Sequence, residues 1–278
     1  MTDAESGLPG AQASAAGIFA AELKAQRGRL GWTQVQLGER IGYSGSFISD
    51  VERGARWASL DFAQRCDNEM GLPGTLERMH ELTRREAYPS WFSPVIPFEA
   101  AAVRIHGWAL GAVPGLLQTE PYARSVIQAR RPEAEDAAIE RTVAARMERQ
   151  AILARASRPL LWYVLHEGPL RHVVGDREIM AGQLDKLIKS AAMPGVVLQV
   201  LPFTSHDHAG VEGPIVLYES HSGPAVAYTE CYGGGRLVEA SDEVADLMTV
   251  VGMLRAAALP PRDSLAFMTQ IRRDLDDR

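Results

Sequence analysis

Residues 33–54, TQVQLGERIGYSGSFISDVERG, leave this chain few ways to fold. They prescribe two short amphipathic helices set back to back, with only a glycine-containing turn between them. Thr33 is a good N-cap, and Gln36 three residues on gives the spacing of a capping box. Leu37 and Ile41 share one helical face at i and i+4. Gly38, between them, points to a close partner helix with room for nothing larger than alanine. Gly42 ends the first helix with a positive φ. Ser44 caps the second, Ile48 and Val51 form its inward face, and Gly54 stops it. Its outward residues are Gly45, Ser46, Ser49, Asp50 and Arg53, which are short, polar and mostly uncharged.

Two helices of this length bury too little surface to stand alone, so neighbours must close their core. Residues 18–29 offer Ile18, Phe19 and Leu23. Residues 59–70 offer Leu60, Phe62, Ala63, Cys66 and Met70. The expectation is a bundle of four or five helices over residues 18 to about 72. A short second helix with small polar outward residues, held across a first, suits insertion into a DNA major groove. The net charge of −6 argues against broad coating of nucleic acid and confines any DNA contact to a small, locally basic face.

The same stretch resembles the helix-turn-helix of Xre-type regulators, the lambda-repressor-like fold. The family pattern is T-Q-x-x-L-A-x-x-x-G-x-S followed by I-S-x-x-E-x-G. It is matched at Thr33, Gln34, Leu37, Gly42, Ser44, Ile48, Ser49, Glu52 and Gly54, with Gly38 in place of the usual alanine. The resemblance implies a DNA-binding face beginning at Thr33, with Gln34 on a phosphate. It further implies Ser44, Gly45, Ser46, Ser49 and Asp50 towards base edges, with Arg53 and Arg56 holding the backbone. Asp50 departs from the family, which often has a basic or amide residue there. Its carboxylate either accepts from a cytosine amino group or turns back to pair with Arg53 or Arg56.

Beyond residue 72 the texture changes. Gly71, Pro73 and Gly74 break the bundle, residues 75–87 read as a connecting helix, and Pro89, Pro94 and Pro97 mark an extended linker. Its Trp91-Phe92 pair reads as packing on a second domain. Residues 98–108 have a helical pattern, a turn and another helix follow, and 133–156 form a long helix with an Ile139, Val143, Met147 stripe. Strand-like runs occupy 159–166 and 195–203, and GPIVLYE and AVAYTE form a hairpin. Residues 180–192, 239–257 and 264–275 read as helices. The expected fold is α+β overall: an all-α bundle, then a larger α+β domain around a small mixed sheet. The bounds are a disordered leader over 1–16, the helix-turn-helix domain over 17–72, a connecting helix and linker over 73–97, and the C-terminal domain over 98–278.

A second resemblance rests on phrases in this order: DFAQRCDNEMGLPGTLERM, PSWFSPVIPFEAAA, VPGLLQTEPYAR, RMERQAIL, LHEGPLR, MAGQLDKL, LQVLPF and YTE. They look like the C-terminal domain of actinobacterial antitoxin-like regulators, and with the first motif the likeness runs from about 18 to 275. It implies a transcriptional regulator, often encoded beside a small partner protein. It supplies no settled ligand or activity for the large domain.

Several constellations compete with that reading. His206 and His208, with Glu212, would reach one metal from a loop, or are simply a polar loop after a strand. His166 and Glu167 stand at a strand end, a place for a general base or for a capped turn. CYGGGRL has no phosphate-loop lysine and reads as a hairpin loop. Glu99 lies among apolar neighbours as a buried, paired carboxylate. Cys66 and Cys231 form neither a disulfide framework nor a zinc pattern. No run approaches the roughly 18 apolar residues of a membrane span, and the N-terminus has no signal-peptide pattern. The expectation is a cytoplasmic homodimer on a double-stranded operator, not an enzyme, without cofactor or metal. The large domain would dimerise and bind a partner or effector. The alternatives are a metal-dependent or small-molecule-processing enzyme with a DNA module, or an interaction protein that no longer binds DNA.

Overall fold

The computed structural model describes residues 14–276. They divide into two compact units: residues up to Tyr88 with Glu133–Ala145, and Pro89–Pro132 with the residues from Arg146 on. The leader expected over 1–16 lies outside the described residues as far as 13, and Ser14 already caps the first helix.

The first unit is a bundle of α1 (Ala15–Arg29), α2 (Gln34–Ile41), α3 (Gly45–Glu52), α4 (Leu60–Met70) and α5 (Thr75–Glu86). Its core joins Phe19 and Leu23 to Leu37, Ile41, Ile48, Val51, Phe62, Cys66, Met70 and Leu76. Burial pushes the Cys66 thiol up to about 12, with the neighbouring Asp67 adding to the shift, so it is an inert core group. Ile18 and Leu60, expected inward, are exposed. The buried face of α1 centres on Phe19, Ala20 and Leu23, which turns Ile18 outwards. Leu60 is the first residue after the Ser59 cap, ahead of the buried stripe.

α5 corrects the expected connector: it is the fifth helix of the bundle, with Leu76, His80 and Thr83 buried. Its N-cap, Gly74, has no side chain to offer. The carboxylate of Asp67 on α4 accepts from the backbone N–H groups of Leu76 (3.0 Å) and Glu77 (2.9 Å) instead. That satisfies orphan donors of the first turn from across the bundle.

The second unit is built on a six-stranded mixed sheet ordered β3-β2-β1-β4-β5-β6. Its strands are β1 (Arg104–Ala109), β2 (Leu160–His166), β3 (Val196–Leu201), β4 (Ile215–Glu219), β5 (Val226–Cys231) and β6 (Gly234–Val238). β1, β2 and β3 are parallel, and β4, β5 and β6 continue antiparallel. Its helices are α6 (Ile96–Ala101), α7 (Glu120–Arg130), α9 (Glu167–Arg171), α10 (Arg177–Ala191), α11 (Ser241–Ala257) and α12 (Pro261–Asp276), while α8 (Asp136–Arg149) falls partly in each unit. One sheet face carries Ile105, Leu161, Tyr163, Leu198 and Tyr218 under α7, α10 and α12. The other carries Trp108, Val164, Leu201, Leu217 and Ala227 under Val244, Val251 and Leu254 of α11.

Three expectations need correction here. Residues 98–108 are not one helix: α6 ends at Ala101, and β1 is one of the sheet's two central strands. β1 is buried on both faces from Ile105 to Ala109, so it shows no polar alternation to mark it as a strand. Gly107 is required there, because a Cβ would stand 2.0 Å from the Tyr163 ring. The linker is not extended either. Pro94 and Pro97 each sit in the first turn of a short helix, where no backbone N–H is needed. CYGGGRL is a hairpin turn at Tyr232-Gly233 and then a sixth strand, β6.

Candidate nucleic-acid interface

The helix-turn-helix is built as its sequence dictates. Thr33 Oγ1 accepts from the Gln36 N–H (3.1 Å), and Gln36 Oε1 accepts from the Thr33 N–H (2.8 Å), which completes the capping box. Gly42 ends α2 in the left-handed region at φ 80°. Ser44 Oγ caps α3 by accepting from the Phe47 N–H at 3.2 Å, and lies 2.9 Å from Ser46 Oγ. Tyr43, Phe47 and Phe62 form an aromatic cluster beneath the turn, with centroids 4.7–5.3 Å apart.

Gly38 is more demanding than the expected limit of alanine. A Cβ there would stand 2.4 Å from the Tyr43 carbonyl oxygen, so the close neighbour is the backbone of the turn itself. Gly45 departs from the outward set as well. Its missing Cβ would stand 2.8 Å from Val35 Cγ2, so the position is spent on packing α3 against α2. Ser44 and Ser46 are exposed, and Ser49 is half-buried.

Asp50 turns back along its own helix. It accepts a hydrogen bond from Arg53 and stands 3.8 Å from Arg56 Nε. Arg56 also lies over the Phe47 ring at 5.2 Å. Gln34 donates through Nε2 to Glu52 at 2.9 Å. Glu52 in turn takes a bidentate contact from Arg27, 2.6 Å from Nε and 2.9 Å from Nη2. The Glu52 side chain is 2% exposed, so this clamp is interior rather than superficial. The hydrogen bond to Glu52 raises the Arg27 pKa, with burial opposing. Sequence reasoning missed the clamp. The Glu52 of the motif marks it, but Arg27 lies 25 positions away with nothing local to flag it.

The competing constellations come apart. His206 and Glu212 are exposed and His208 is half-buried, and among the described residues no group of three or more His, Cys, Asp or Glu could hold a metal. His208 instead meets Trp108 edge to ring at 5.6 Å and His166 in a tilted contact at 5.9 Å. Its Nδ1 accepts from the Gly210 N–H, and that of His166 accepts from the Gly168 N–H, both at 3.2 Å. Burial, then the neighbouring His208, lowers the His166 pKa. Glu167 is buried, pairs with Arg171 at 2.5 Å and accepts from the Phe203 N–H at 2.7 Å, so it fastens the α9 turn. Glu99 is the buried paired carboxylate its surroundings suggest: Arg149 reaches both its oxygens at 2.6 Å while lying over Phe92.

A polar network unmarked in the sequence crosses the α11 face of the sheet. His106 Nε2 lies 2.9 Å from Glu219 Oε1, and its Nδ1 lies 2.5 Å from Arg255 Nη2. An arginine can only donate, so Nδ1 is the acceptor and Nε2–H donates to Glu219. The Arg255 guanidinium also stacks on Trp162 at 4.1 Å. Burial and then Arg255 hold the His106 pKa down, against Glu219.

Two family models match the chain. One described as a helix-turn-helix domain covers residues 18–79, and one described as a domain of unknown function (DUF5753) covers residues 92–270. The chain belongs to the latter family and carries a DNA-binding helix-turn-helix ahead of its family domain. No curated protein and no solved structure matches it. Among the described residues no single helix is long and apolar enough to cross a membrane.

Proposed function

We propose that this member of the DUF5753 family is a sequence-specific transcriptional regulator of Xre type. It binds an inverted-repeat operator as a homodimer, and its α+β domain serves dimerisation and the sensing of a small, nearby-encoded antitoxin-system partner. The observation that carries the reading is the exposed start of α3. There Ser44 and Ser46, with the half-buried Ser49 a turn further on, offer short hydrogen-bonding groups of a size that lets a helix enter a major groove, and Arg53 and Arg56 stand exposed beyond them. Thr33 and Gln34 mark the phosphate side at the start of α2. Arg53 and Arg56 supply the local positive charge that an acidic protein needs for this task. The reading is of a binding protein, not an enzyme, and uses no cofactor.

Operator selection from a randomised duplex pool tests it. The wild type should enrich an inverted repeat with half-sites about one helical turn apart, roughly 34 Å. Ser46→Ala and Ser49→Ala should each alter the preferred base pairs at about 1–3 kcal/mol per lost hydrogen-bonded base. A pool that stays random, or profiles identical in all three proteins, would overturn the recognition face.

A further inference from the structure

Helix α11 covers one face of the sheet through Val244, Val251 and Leu254. Its opposite side is exposed at Ala245, Met248, Thr249, Gly252, Met253 and Ala256, a spacing that keeps all six on one side of a helix. Met248 and Met253 are 41% and 58% exposed. The Thr249 hydroxyl donates to the Ala245 carbonyl at 3.0 Å, so it presents its methyl outwards. Arg255 is the single charged residue between Asp246 and the helix end, and it is turned inwards to His106 and Trp162. For more than two turns this side of α11 offers solvent no charge.

Gly252 adds an independent observation. It sits inside a helix, where glycine is less favourable than alanine, yet a Cβ there would meet nothing within 4 Å. Nothing in its own chain asks for a glycine at that position. A glycine on an exposed helical face does allow another backbone to come close.

We propose that this face of α11 is a two-fold interface with the same face of a second copy, the helices antiparallel. The outward residues are arranged symmetrically about the midpoint between Val250 and Val251: Thr249 mirrors Gly252, Met248 mirrors Met253, and Ala245 mirrors Ala256. An isologous contact requires this self-complementarity, in which residue i meets j and j meets i. In an antiparallel pair Met248 lies over the space left by Gly252 of the second copy, and Met253 over Thr249. The acidic start of each helix, at Asp242 and Asp246, comes beside the far end of the other, which leads into the exposed Arg262 in the first turn of α12. One helix pair buries less than the roughly 1,600 Å² of a standard interface. The expected dimer is therefore reversible, and its dissociation is measurable at working concentrations. The inference rests on the dimeric reading above and gives it a location.

The test uses the full chain without DNA. Sedimentation velocity over a concentration series should show a monomer–dimer equilibrium. Gly252→Arg, which has open space in the monomer, should weaken it by at least about tenfold, while the circular dichroism keeps its helical signal and the melting temperature of the monomer does not fall. In a Cys231→Ser background, which removes the exposed native thiol, Ala245→Cys and Ala256→Cys proteins are each treated alone and as a mixture with a short bismaleimide. The mixture should cross-link and each alone should not, because equal positions in an antiparallel pair lie about 16 Å apart along the axis at 1.5 Å per residue. Self-association untouched by Gly252→Arg would overturn the proposal, since the face then serves another occupant. A chain monomeric throughout the series, or single variants that cross-link as well as the mixture, would also overturn it. If the dimer forms as described but selects no operator, the DNA-binding reading fails and this interface stands.

Discussion

Asp50 and Arg53 stand one turn apart on α3, joined by a hydrogen bond from the guanidinium to the carboxylate, with Arg56 approaching the same carboxylate at 3.8 Å. In the free protein, the charges nearest the proposed DNA-facing end of the motif are thus partly engaged with each other. The Arg53 and Arg56 side chains are 67% and 55% exposed and that of Asp50 31%, so the pairs contribute little stability. Their consequence is electrostatic: a carboxylate sits beside two groups proposed to hold phosphates.

Asp50→Asn should therefore raise affinity for all duplexes, specific or not. It should also steepen the dependence of log K on log salt by up to about 0.9 for each further phosphate that the freed arginines neutralise. Fluorescence anisotropy over a salt series checks this. A loss of discrimination at one base pair, without general tightening, would show instead that Asp50 reads a cytosine amino group.

The Arg27–Glu52–Gln34 clamp ties α1, the end of α3 and the start of α2 together. Removing its carboxylate leaves a guanidinium and an amide without their acceptor inside the bundle. Glu52→Ala should cost about 2–3 kcal/mol of the first unit's stability and lower operator affinity through the misplacement of α3. Glu52→Gln should cost less, because an amide oxygen still accepts. Denaturant unfolding followed by tryptophan fluorescence separates the two, and equal losses would count against the clamp.

Gly38 tests how tightly the turn is closed. The family's alanine, placed on this backbone, would put its Cβ 2.4 Å from the Tyr43 carbonyl oxygen, so the α2–α3 turn must open to admit it. Gly38→Ala should destabilise the protein by about 1–3 kcal/mol, the usual cost of overpacking. The mutant's higher helix propensity works the other way by at most about 1 kcal/mol. A melting temperature that rises would mean the turn relaxes without strain.

How much was legible follows the range of the interactions. The capping box at Thr33, the positive φ of Gly42 and the inward pair Ile48 and Val51 are local, each settled by residues within a turn, and the sequence reading of them matches the geometry. β1 escaped because a strand buried on both faces carries no alternation, and β6 escaped because glycines at 234 and 235 carry no side-chain pattern. The Glu52 clamp, the Asp67 cap of α5 and the His106 network depend on residues brought together across elements. Asp50 stood between two local possibilities, and the free protein adopts the arginine pairing. Burial alone foretold the Glu99 pair, since an ionised carboxylate among apolar neighbours needs a partner.

The His106 network makes the last prediction, concerning pH. Its ring lies between Glu219 and Arg255, with Arg104 also facing Glu219. Burial first, then Arg255 and more weakly Arg104, depress its pKa, while Glu219 pulls the other way. In the unfolded chain the ring titrates near 6.5. Between that value and the lower folded pKa the unfolded state binds more protons than the folded one, so stability rises with pH through this window. Acidification from neutral pH should therefore weaken the fold from about 6.5 downwards, as protonation of Nδ1 removes the acceptor that Arg255 uses. His166 is depressed in the same direction, so two rings share the effect. His106→Gln keeps an oxygen for Arg255 and an amide for Glu219 without a titrating proton. Unfolding free energies of the two proteins at pH 7.5, 6.5, 5.5 and 5.0, roughly spanning the imidazole range, should show a shallower acid loss in the variant. Equal slopes would remove His106 from the acid sensitivity and leave it to other groups, His166 among them.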